Sequence, residues 1–374
     1  MKQYFGTDGI RGIPNKTLNE DLVSKIFSSV EKELSPVSVA IILDTRSSSL
    51  ELLGWICNGL SENVQVVNYG VLPSGSMPIL LKKFEHDLGV IISASHNPSE
   101  YNGIKLINNV GSKLSDEVEI NIENNLQTIS LPEKTSISKS STEGYDAYLE
   151  YLESLIDFDL SSFNILFDTA NGSSYKIIED LFQSTKSKFK IIANAPDGQN
   201  INSNCGATHL DNLVSNLGKN QLGAAFDGDA DRLGVISPSG EMIFPDMQMI
   251  LFSKHVLNKN RPKITAMLRT RGQYGIKDMI MQYKTHIWGH AEYQNAAICH
   301  AVPSLLAQID AMQRRYLHEL HLTEEVAFLD HNFLPPHIRR DVAMLGLIHK
   351  RVLGTAHPAF AFLLPWSAES SAYC

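Results

Sequence analysis

The chain has 374 residues, of which 43% are hydrophobic and 20% are charged, and its formal net charge is −9. This length allows two or three globular domains, and the composition is ordinary for a water-soluble protein. No apolar run reaches the ~18–20 residues of a membrane-spanning helix, and the first residues lack the apolar stretch of a secretory signal, so we expect a cytoplasmic protein with no membrane partner. The acidic balance before about residue 265 argues against a nucleic-acid partner, although a cleft in an acidic protein can still bind a phosphorylated ligand.

The first part of the chain alternates strand-like and helix-like segments, which predicts an α/β domain. An amphipathic helix is predicted at residues 22–34, and short apolar strands at 37–43, 64–67 and 88–92. Residues 127–144 are rich in serine, threonine and lysine, so we predict a surface connection near a domain boundary.

A second α/β domain is predicted after this connection. It begins with a helix at residues 145–156, followed by strands at 163–167, 189–192 and 222–226, a hairpin of 233–237 with 241–244, and another helix at 245–257. We find no internal sequence repeat. The two parts together predict consecutive α/β domains with mixed sheets.

The sequence changes character from about residue 265. Strand-like segments stop, and helices are predicted at residues 296–320, 324–330 and 338–353. Nine of the 13 histidines lie in this tail. Cys299-His300 and His318-x-x-His321 could bind zinc if the helices bring them together, but surface or packing histidines are the favoured interpretation. The four cysteines (Cys57, Cys205, Cys299 and Cys374) are widely spaced, which is typical of free thiols.

Three aspartates, Asp227, Asp229 and Asp231, directly follow the predicted strand at 222–226, and Arg232 is next. If the segment is extended, alternate side chains point the same way and the carboxylates converge. Carboxylates that close repel one another unless a cation lies among them, and oxygen ligands alone favour Mg²⁺ over zinc or copper. The alternative is an acidic surface turn, but a position between a buried strand and a hairpin favours the metal site.

The hydroxyls of Ser93 and Ser95 emerge directly after the predicted strand at 88–92. A serine is a weak nucleophile unless it is activated, whereas a phosphoserine can donate its phosphoryl group without such activation. The spacing alone does not choose between the two serines. His96 could act as an acid or base, or it could orient the loop.

Two further cationic residues are candidates for phosphate binding. Lys105 follows a predicted turn at Asn102-Gly103 and could reach the serine loop or lie in solvent. Arg11 lies in the glycine-rich segment 6–12 and offers a planar guanidinium group that matches a phosphate. That segment has neither the spacing of a P-loop nor that of a dinucleotide-binding loop.

Taken together, three segments resemble, in the same order, the signatures of the α-D-phosphohexomutase superfamily. They are residues 4–12 (YFGTDGIRG), 89–106 (GVIISASHNPSEYNGIKL) and 225–234 (AFDGDADRLG). The first segment and residues 200–209 (NINSNCGATH) are typical of the phosphoglucosamine mutase branch, and residues 233–252 also resemble the phosphomannomutase/phosphoglucomutase branch. The resemblance covers about residues 1–264.

The resemblance implies a four-domain enzyme with a central active site. The implied catalytic residues are Ser95 as the phosphoserine, Arg11, His96, Lys105 and Arg232, and the implied Mg²⁺ ligands are that phosphoserine, Asp227, Asp229 and Asp231. The implied reaction interconverts glucosamine 6-phosphate and glucosamine 1-phosphate through a hexose 1,6-bisphosphate, and it feeds UDP-N-acetylglucosamine synthesis. A phosphosugar and this bisphosphate are therefore the expected partners.

Two loops of the family are not found in the tail: a sugar-recognition loop of the type GEQSGH and a phosphate-clamping loop of the type RPSGTEP. Because remote phosphate contacts orient a substrate for reaction, we expect impaired turnover. A phosphomannomutase or phosphoglucomutase, a catalytically incompetent chimera, and a helical interaction module in the tail remain as alternatives. The expected division is domain I at 1–143, domain II at 144–241, the start of domain III at 242–264, and an unrelated, mainly α-helical tail at 265–374.

Overall fold

Two mixed β-sheets organise the first unit of the chain, Met1–Ile243, in a computed structural model of the protein. The second unit is Phe244–Cys374. The structure describes residues 2–6, 8–244, 248, 280, 310–311, 313–318 and 320–331. Within those residues, no helix combines the length and the hydrophobicity that a membrane crossing requires.

Sheet A has six strands, of which the central ones are buried. They are β1 (Ile10–Gly12), β2 (Ser38–Leu43), β3 (Gln65–Val71), β4 (Leu88–Ile92), β5 (Asn102–Asn108) and β6 (Ser138–Ser140), in the order β1-β5-β4-β2-β3-β6. β2 is parallel to β3 and β4, and β3 is parallel to β6, whereas β5 is antiparallel to β4 and β1. β2 and β4 are continuous apolar runs because side chains pack on both faces of the sheet.

Four helices accompany sheet A: α1 (Glu20–Leu34), α2 (Ser49–Gly59), α3 (Met77–Phe84) and α4 (Asp116–Asn125). The side chain of Asn19 caps the start of α1 by accepting the Leu22 N–H. Ser35, in the left-handed conformation, caps its end. Apolar residues of α1, α2 and α4 pack on one face of the sheet, and those of α3 pack on the other. We call the part from β1 to β6 domain A.

Sheet B has five strands, β7 (Asn164–Asp168), β8 (Lys188–Ile192), β9 (Leu222–Phe226), β10 (Leu233–Ile236) and β11 (Met242–Ile243), in the order β11-β10-β9-β7-β8. β7 is parallel to β8 and β9, and β10 is antiparallel to β9 and β11. Its helices are α5 (Glu143–Leu155), α6 (Tyr175–Gln183) and α7 (Asp211–Asn216). We call the part from α5 to β11 domain B; a shared apolar core that includes α3, α5 and α6 joins it to domain A.

The two domains repeat one strand arrangement, although no sequence repeat was found. The order β5-β4-β2-β3 in sheet A corresponds to β10-β9-β7-β8 in sheet B, with the same parallel and antiparallel pairs. The repeat is therefore one of topology without a repeat of residue identities, because apolar strands can exchange residues while strand order is kept.

The predicted strands and the hairpin of the first 244 residues are confirmed, as are the helices at 22–34 and 145–156. The connection at 127–144 lies mostly at the surface, as predicted, and contributes β6 and the start of α5. One prediction is wrong: Asn102-Gly103 begins β5 instead of forming a turn. In the tail, α8 (Glu324–His331) confirms the helix at 324–330. The described residues between 310 and 318 are helical, whereas 338–353 and all of 245–257 except residue 248 lie outside the described residues.

Candidate active site

The loop after β4 carries the two candidate serines, and only one of them faces the aspartates. The Ser95 hydroxyl donates to Asp227 Oδ2 at 2.6 Å. The Ser93 hydroxyl instead donates to Asp44 Oδ2 at 2.7 Å and accepts the Ser95 N–H at 2.9 Å. Ser95 has a φ of +52°, a left-handed conformation that is uncommon outside glycine. Of the two hydroxyls that the spacing left open, that of Ser95 is therefore the one in contact with the metal-ligand candidates.

A buried ion pair after β2 holds the Ser95 loop. Arg46 Nε donates to Asp44 Oδ2 at 2.8 Å, and both side chains are fully buried. The two terminal nitrogens of Arg46 donate to the backbone carbonyls of Ser95 (3.0 Å), Asn97 (2.8 Å), Pro98 and Tyr101 (2.8 Å). One planar guanidinium group thus fixes four carbonyls of the loop, which an ammonium group could not do.

The three aspartates lie in a tight turn after β9, and the extended segment predicted for them is wrong. The Ala230 N–H donates to the Asp227 carbonyl at 3.0 Å, and Ala230 has a φ of +58°. The turn, and not strand alternation, brings one ligand atom each of Asp227, Asp229 and Asp231 within 4.8 Å of one another. Asp227 and Asp229 are buried, whereas Asp231 is exposed.

Lys105 is buried on β5 and reaches this aspartate turn, so the solvent-exposed alternative is wrong. Its Nζ lies 2.7 Å from Asp229 Oδ2 and 3.2 Å from Asp231 Oδ2. It also lies 2.8 Å from Asp8 Oδ2, which accepts from Arg11 Nη2 at 3.0 Å. Burial alone would lower the pKa of Lys105, but the negative charge of Asp229 and the other carboxylates raises it, so the ammonium group stays charged.

The aspartate turn fits a hard divalent cation. Asp229 Oδ1 is buried and has no hydrogen-bond partner among the described residues, while Oδ2 accepts from Ser74 at 2.8 Å and from Lys105. Burial, followed by repulsion from Asp229, raises the pKa of Asp227 to about 6. A cation would satisfy the unpartnered oxygen and relieve the repulsion, and a set of oxygen ligands suits Mg²⁺.

The other predicted residues surround Ser95 at longer range. Arg232 donates its N–H to Asp227 Oδ1 at 3.1 Å, and its Nε lies 3.9 Å from Asp227 Oδ2 while the side chain is 46% exposed. His96 Nδ1 lies 3.5 Å from Ser95 Oγ. Burial, and then Arg232 and Arg11, lower the pKa of His96, which favours the neutral imidazole near pH 7.

Gly228 allows the two domains to approach closely at this point. A Cβ there would lie 2.6 Å from the Ser95 carbonyl oxygen and 2.8 Å from Ile201 Cδ1. A side chain at position 228 would therefore push the aspartate turn away from the serine loop.

Sequence reasoning missed several residues that build the site. Asp8, Asp44, Arg46, Ser74 and Asn202 all contact the serine loop, the aspartate turn or Lys105. The pair Asp44 and Arg46 carried a usable signal, because polar residues directly after a buried strand of an α/β sheet collect at the ligand-binding edge. The others come from loops whose partners are distant in sequence.

The cysteine and histidine candidates of the sequence analysis are described only in part. Cys57 and Cys205 are free and buried, and Cys374 lies outside the described residues. His318 and His321 are exposed, whereas Cys299 and His300 are not described.

Two family models match the chain. The model for phosphoglucomutase/phosphomannomutase, alpha/beta/alpha domain I, matches residues 2–133, and that for domain II matches residues 146–240. The matched segments contain the serine loop and the aspartate turn, respectively.

Individual relatives match over the same part of the chain. Phosphoglucosamine mutase from Clostridium kluyveri is 39% identical over 275 residues, which cover 70% of this chain and 61% of the relative. The enzyme of that name from Clostridium novyi is 39% identical over 277 residues, which cover 70% and 62%. A phosphoglucomutase/phosphomannomutase family protein from Burkholderia thailandensis superimposes with a TM-score of 0.60 at 25% identity, over 70% of this chain and 60% of that chain. The chain thus spans about three fifths of the length of these relatives.

Proposed function

Because the chain belongs to the phosphoglucomutase/phosphomannomutase family through its first two α/β/α domains, we propose that it transfers a phosphoryl group between Ser95 and a sugar phosphate. One observation carries the proposal: the Ser95 hydroxyl lies 2.6 Å from Asp227 Oδ2. Asp227 belongs to the aspartate turn, whose three carboxylates can share one cation. The preferred substrate is glucosamine phosphate, interconverted between its 6- and 1-phosphates through a 1,6-bisphosphate.

The proposed transfer uses Ser95 as a reversible phosphate carrier. In the first half, the bond between phosphorus and Ser95 Oγ breaks and Ser95 Oγ takes up a proton, while a bond from phosphorus to a sugar hydroxyl oxygen forms and that hydroxyl gives up its proton. In the second half, the bond between the other phosphorus of the bisphosphate and its sugar oxygen breaks and that oxygen is protonated, while Ser95 Oγ loses its proton and bonds to the phosphorus. The neutral imidazole of His96, 3.5 Å from Ser95 Oγ, is positioned to accept the Ser95 proton in the second half and to return a proton to Ser95 Oγ in the first.

The cationic residues supply charge complementarity for the phosphate in this proposal. The positive charges of Arg11 and Arg232 act on His96 of the serine loop, and Lys105 holds a positive charge against Asp229. Asp227, Asp229 and Asp231 would hold Mg²⁺ with an oxygen of the phosphoserine. When bound, such an ion neutralises charge on the transferring phosphoryl group.

The tail limits the proposal, because the family loops for sugar recognition and phosphate clamping are not found there. We therefore propose domain I at 1–143, domain II at 144–241 and the start of domain III at 242–264, followed by an unrelated tail, with impaired mutase turnover. The same observation favours a second candidate, a catalytically incompetent chimera that accepts phosphate on Ser95 and goes no further.

Intact-mass measurement of the full chain tests the proposal. After incubation with Mg²⁺ and glucose 1,6-bisphosphate, we expect a gain of one phosphate group, which Ser95→Ala abolishes and Ser93→Ala retains. A coupled assay with glucosamine 6-phosphate, with and without added bisphosphate, then separates a slow mutase from the incompetent chimera. Phosphate that persists in Ser95→Ala would overturn the assignment of the carrier.

A further inference from the structure

We propose that Asn202 is a positioning residue that holds the Ser95 loop of domain A in register with the aspartate turn of domain B. The inference rests on the phosphoryl transfer proposed above. Asn202 belongs to the segment 200–209, which the proposed function leaves without a role. It lies in the loop region of domain B between β8 and α7.

The Asn202 side chain crosses from domain B to the serine loop. Its Nδ2 donates to the Ser95 carbonyl at 2.8 Å and to the Asn97 carbonyl at 3.2 Å. The Ser95 carbonyl also accepts from Arg46 Nη2 at 3.0 Å. The peptide that carries the proposed nucleophile is therefore held from both domains at one oxygen atom.

Asn202 is itself anchored beside the aspartate turn. Its N–H donates to the Ala170 carbonyl of domain B at 2.9 Å. Its Nδ2 would lie 2.9 Å from a Cβ placed on Gly228, the residue between two of the aspartates. The amide thus occupies the gap between the Ser95 carbonyl and the turn, so it can transmit the position of one loop to the other.

The chemistry of this contact requires an amide donor. Both partners of Nδ2 are carbonyl oxygens, which only accept hydrogen bonds, so an aspartate of the same size could not replace it. The other side-chain atom, Asn202 Oδ1, is buried without a partner among the described residues. If Asn202 only filled space, an apolar side chain would do so without burying an unpaired oxygen. The two hydrogen bonds donated by Nδ2 are therefore the reason that an amide group is buried here.

The contact bears on reaction because it fixes the direction of the Ser95 hydroxyl. Ser95 is in the left-handed conformation, which surrounding contacts must maintain. If its carbonyl were released on the domain B side, the peptide could rotate and carry Oγ away from Asp227. A displacement of about 1 Å in a reacting group can lower a rate by about 100-fold.

Phosphate uptake by the full chain, followed by intact mass with Mg²⁺ and glucose 1,6-bisphosphate, tests the role. Asn202→Ala removes both donors, and Asn202→Asp removes them while keeping the size of the side chain. Asn204→Ala is the matched control. Asn204 is exposed, lies two residues from Asn202, and has a φ of +52°, close to the +58° of Asn202. We expect both Asn202 variants to slow phosphate uptake by about 10- to 100-fold. Asn204→Ala should stay within about twofold of the wild-type rate.

Three readouts separate positioning from general disruption. The bisphosphate concentration at half-maximal rate and the Mg²⁺ affinity of the unphosphorylated chain should both change by less than about twofold in Asn202→Ala, since the metal-ligand candidates lie on their own turn. Hydrogen exchange of a peptide covering residues 93–101 should rise in Asn202→Ala and not in Asn204→Ala, which tests the contact without any reaction.

The outcomes distinguish the two proposals. A wild-type chain that gains no phosphate overturns the proposed function, and with it the catalytic meaning of the contact. A wild-type chain that gains phosphate while both Asn202 variants keep pace overturns only the role of Asn202, as does unchanged hydrogen exchange at residues 93–101.

Discussion

Domains A and B place their chemically active loops at the same topological position, yet the two loops share neither sequence nor chemistry. The Ser95 loop follows β4, and the Asp227 turn follows β9, the corresponding strand of the repeat. Both loops lie at the carboxyl edge of a parallel pair, where α/β sheets bind ligands. The repeated fold therefore supplies placement, and the loop residues decide whether an edge offers a nucleophile or a cation site.

The same contrast holds for two corresponding aspartates at the ends of β2 and β7. The Asp44 side chain accepts the Arg46 N–H at 3.1 Å, and the Asp168 side chain accepts the Ala170 N–H at 2.9 Å. Each aspartate thus accepts the backbone N–H of the residue two positions later in its own loop. Asp44 is also paired with a buried guanidinium group. Asp168 has no such partner among the described residues, and burial raises its pKa. Domain A thus buries a charge pair where domain B buries a carboxyl group held by N–H donors.

The largest expected effect comes from breaking that charge pair. Arg46→Met should destabilise domain A by about 3–5 kcal/mol, because it leaves the Asp44 carboxylate buried without its cation. Asp168→Asn should destabilise domain B by only about 1 kcal/mol, since an amide oxygen can still accept the Ala170 N–H. Native-state hydrogen exchange resolves the two domains through amides of β2 and β7. Equal losses in both variants would break the comparison between the two aspartates.

The next largest effect tests the close approach between the domains. Gly228→Ala should cost about 1–3 kcal/mol and separate the serine loop from the aspartate turn, because the new Cβ would meet the Ser95 carbonyl oxygen. Gly54→Ala is the control: a Cβ there meets nothing within 4 Å inside α2, so it should stabilise the chain by up to about 1 kcal/mol. Thermal unfolding of the two variants measures whether each substitution lowers or raises the stability of the chain. A stabilising Gly228→Ala would contradict the close contact.

Much of this arrangement was predictable from the sequence, for a clear physical reason. β4 and β9 are uninterrupted apolar segments of ordinary strand length, and the polar residues that follow them must lie at a sheet edge. The serine loop and the aspartate turn could therefore be located. The family match supports the assignment to domains I and II.

What could not be predicted depends on contacts between residues distant in sequence. Lys105 reaches the aspartates because β5 pairs with β4 in a register that places it opposite Ile91, and no local pattern encodes that pairing. The aspartates converge through a turn with a left-handed Ala230, and an alanine gives no sequence signal for that conformation, which glycine and asparagine favour. The structural repeat is equally hidden, because strand order leaves no trace in residue spacing.

A smaller effect concerns the cation that domain A presents to domain B. Lys105→Met should strengthen Mg²⁺ binding to the unphosphorylated chain by about 10-fold, which is about 1.4 kcal/mol, because a competing positive charge leaves Asp229 and Asp231. Isothermal titration measures the affinity. Lys83→Met removes the same charge from an exposed pair with Glu150 and should leave the affinity unchanged. Weaker Mg²⁺ binding in Lys105→Met would show that the ammonium group supports the site and does not compete for it.

The smallest effect is a pH dependence confined to domain A. His86 is buried, with Nδ1 2.5 Å from Ser38 Oγ and Nε2 2.7 Å from the Tyr69 hydroxyl. Burial lowers the pKa of His86 below its ordinary 6.5, and the nearby Asp87 offsets only part of that shift. The unfolded chain therefore binds a proton more readily than the folded chain. The contribution of His86 to the stability of domain A is present above about pH 6.5, and it is lost as the pH falls towards the lowered pKa of the folded state.

Between pH 7.5 and 5.5 this histidine should cost domain A about 1 kcal/mol. Hydrogen exchange at β3 and β4 measures the loss, and His86→Gln should abolish it, because the amide carries no charge at either pH. His209→Gln, at an exposed position of domain B, should leave the acid sensitivity of domain A intact. Asp168 acts in the opposite direction, since its raised pKa means that its carboxyl group favours the folded state most at low pH. Acidification should therefore weaken domain A before domain B. If domain A of the His86→Gln variant still loses stability between pH 7.5 and 5.5, the acid-sensitive group lies elsewhere.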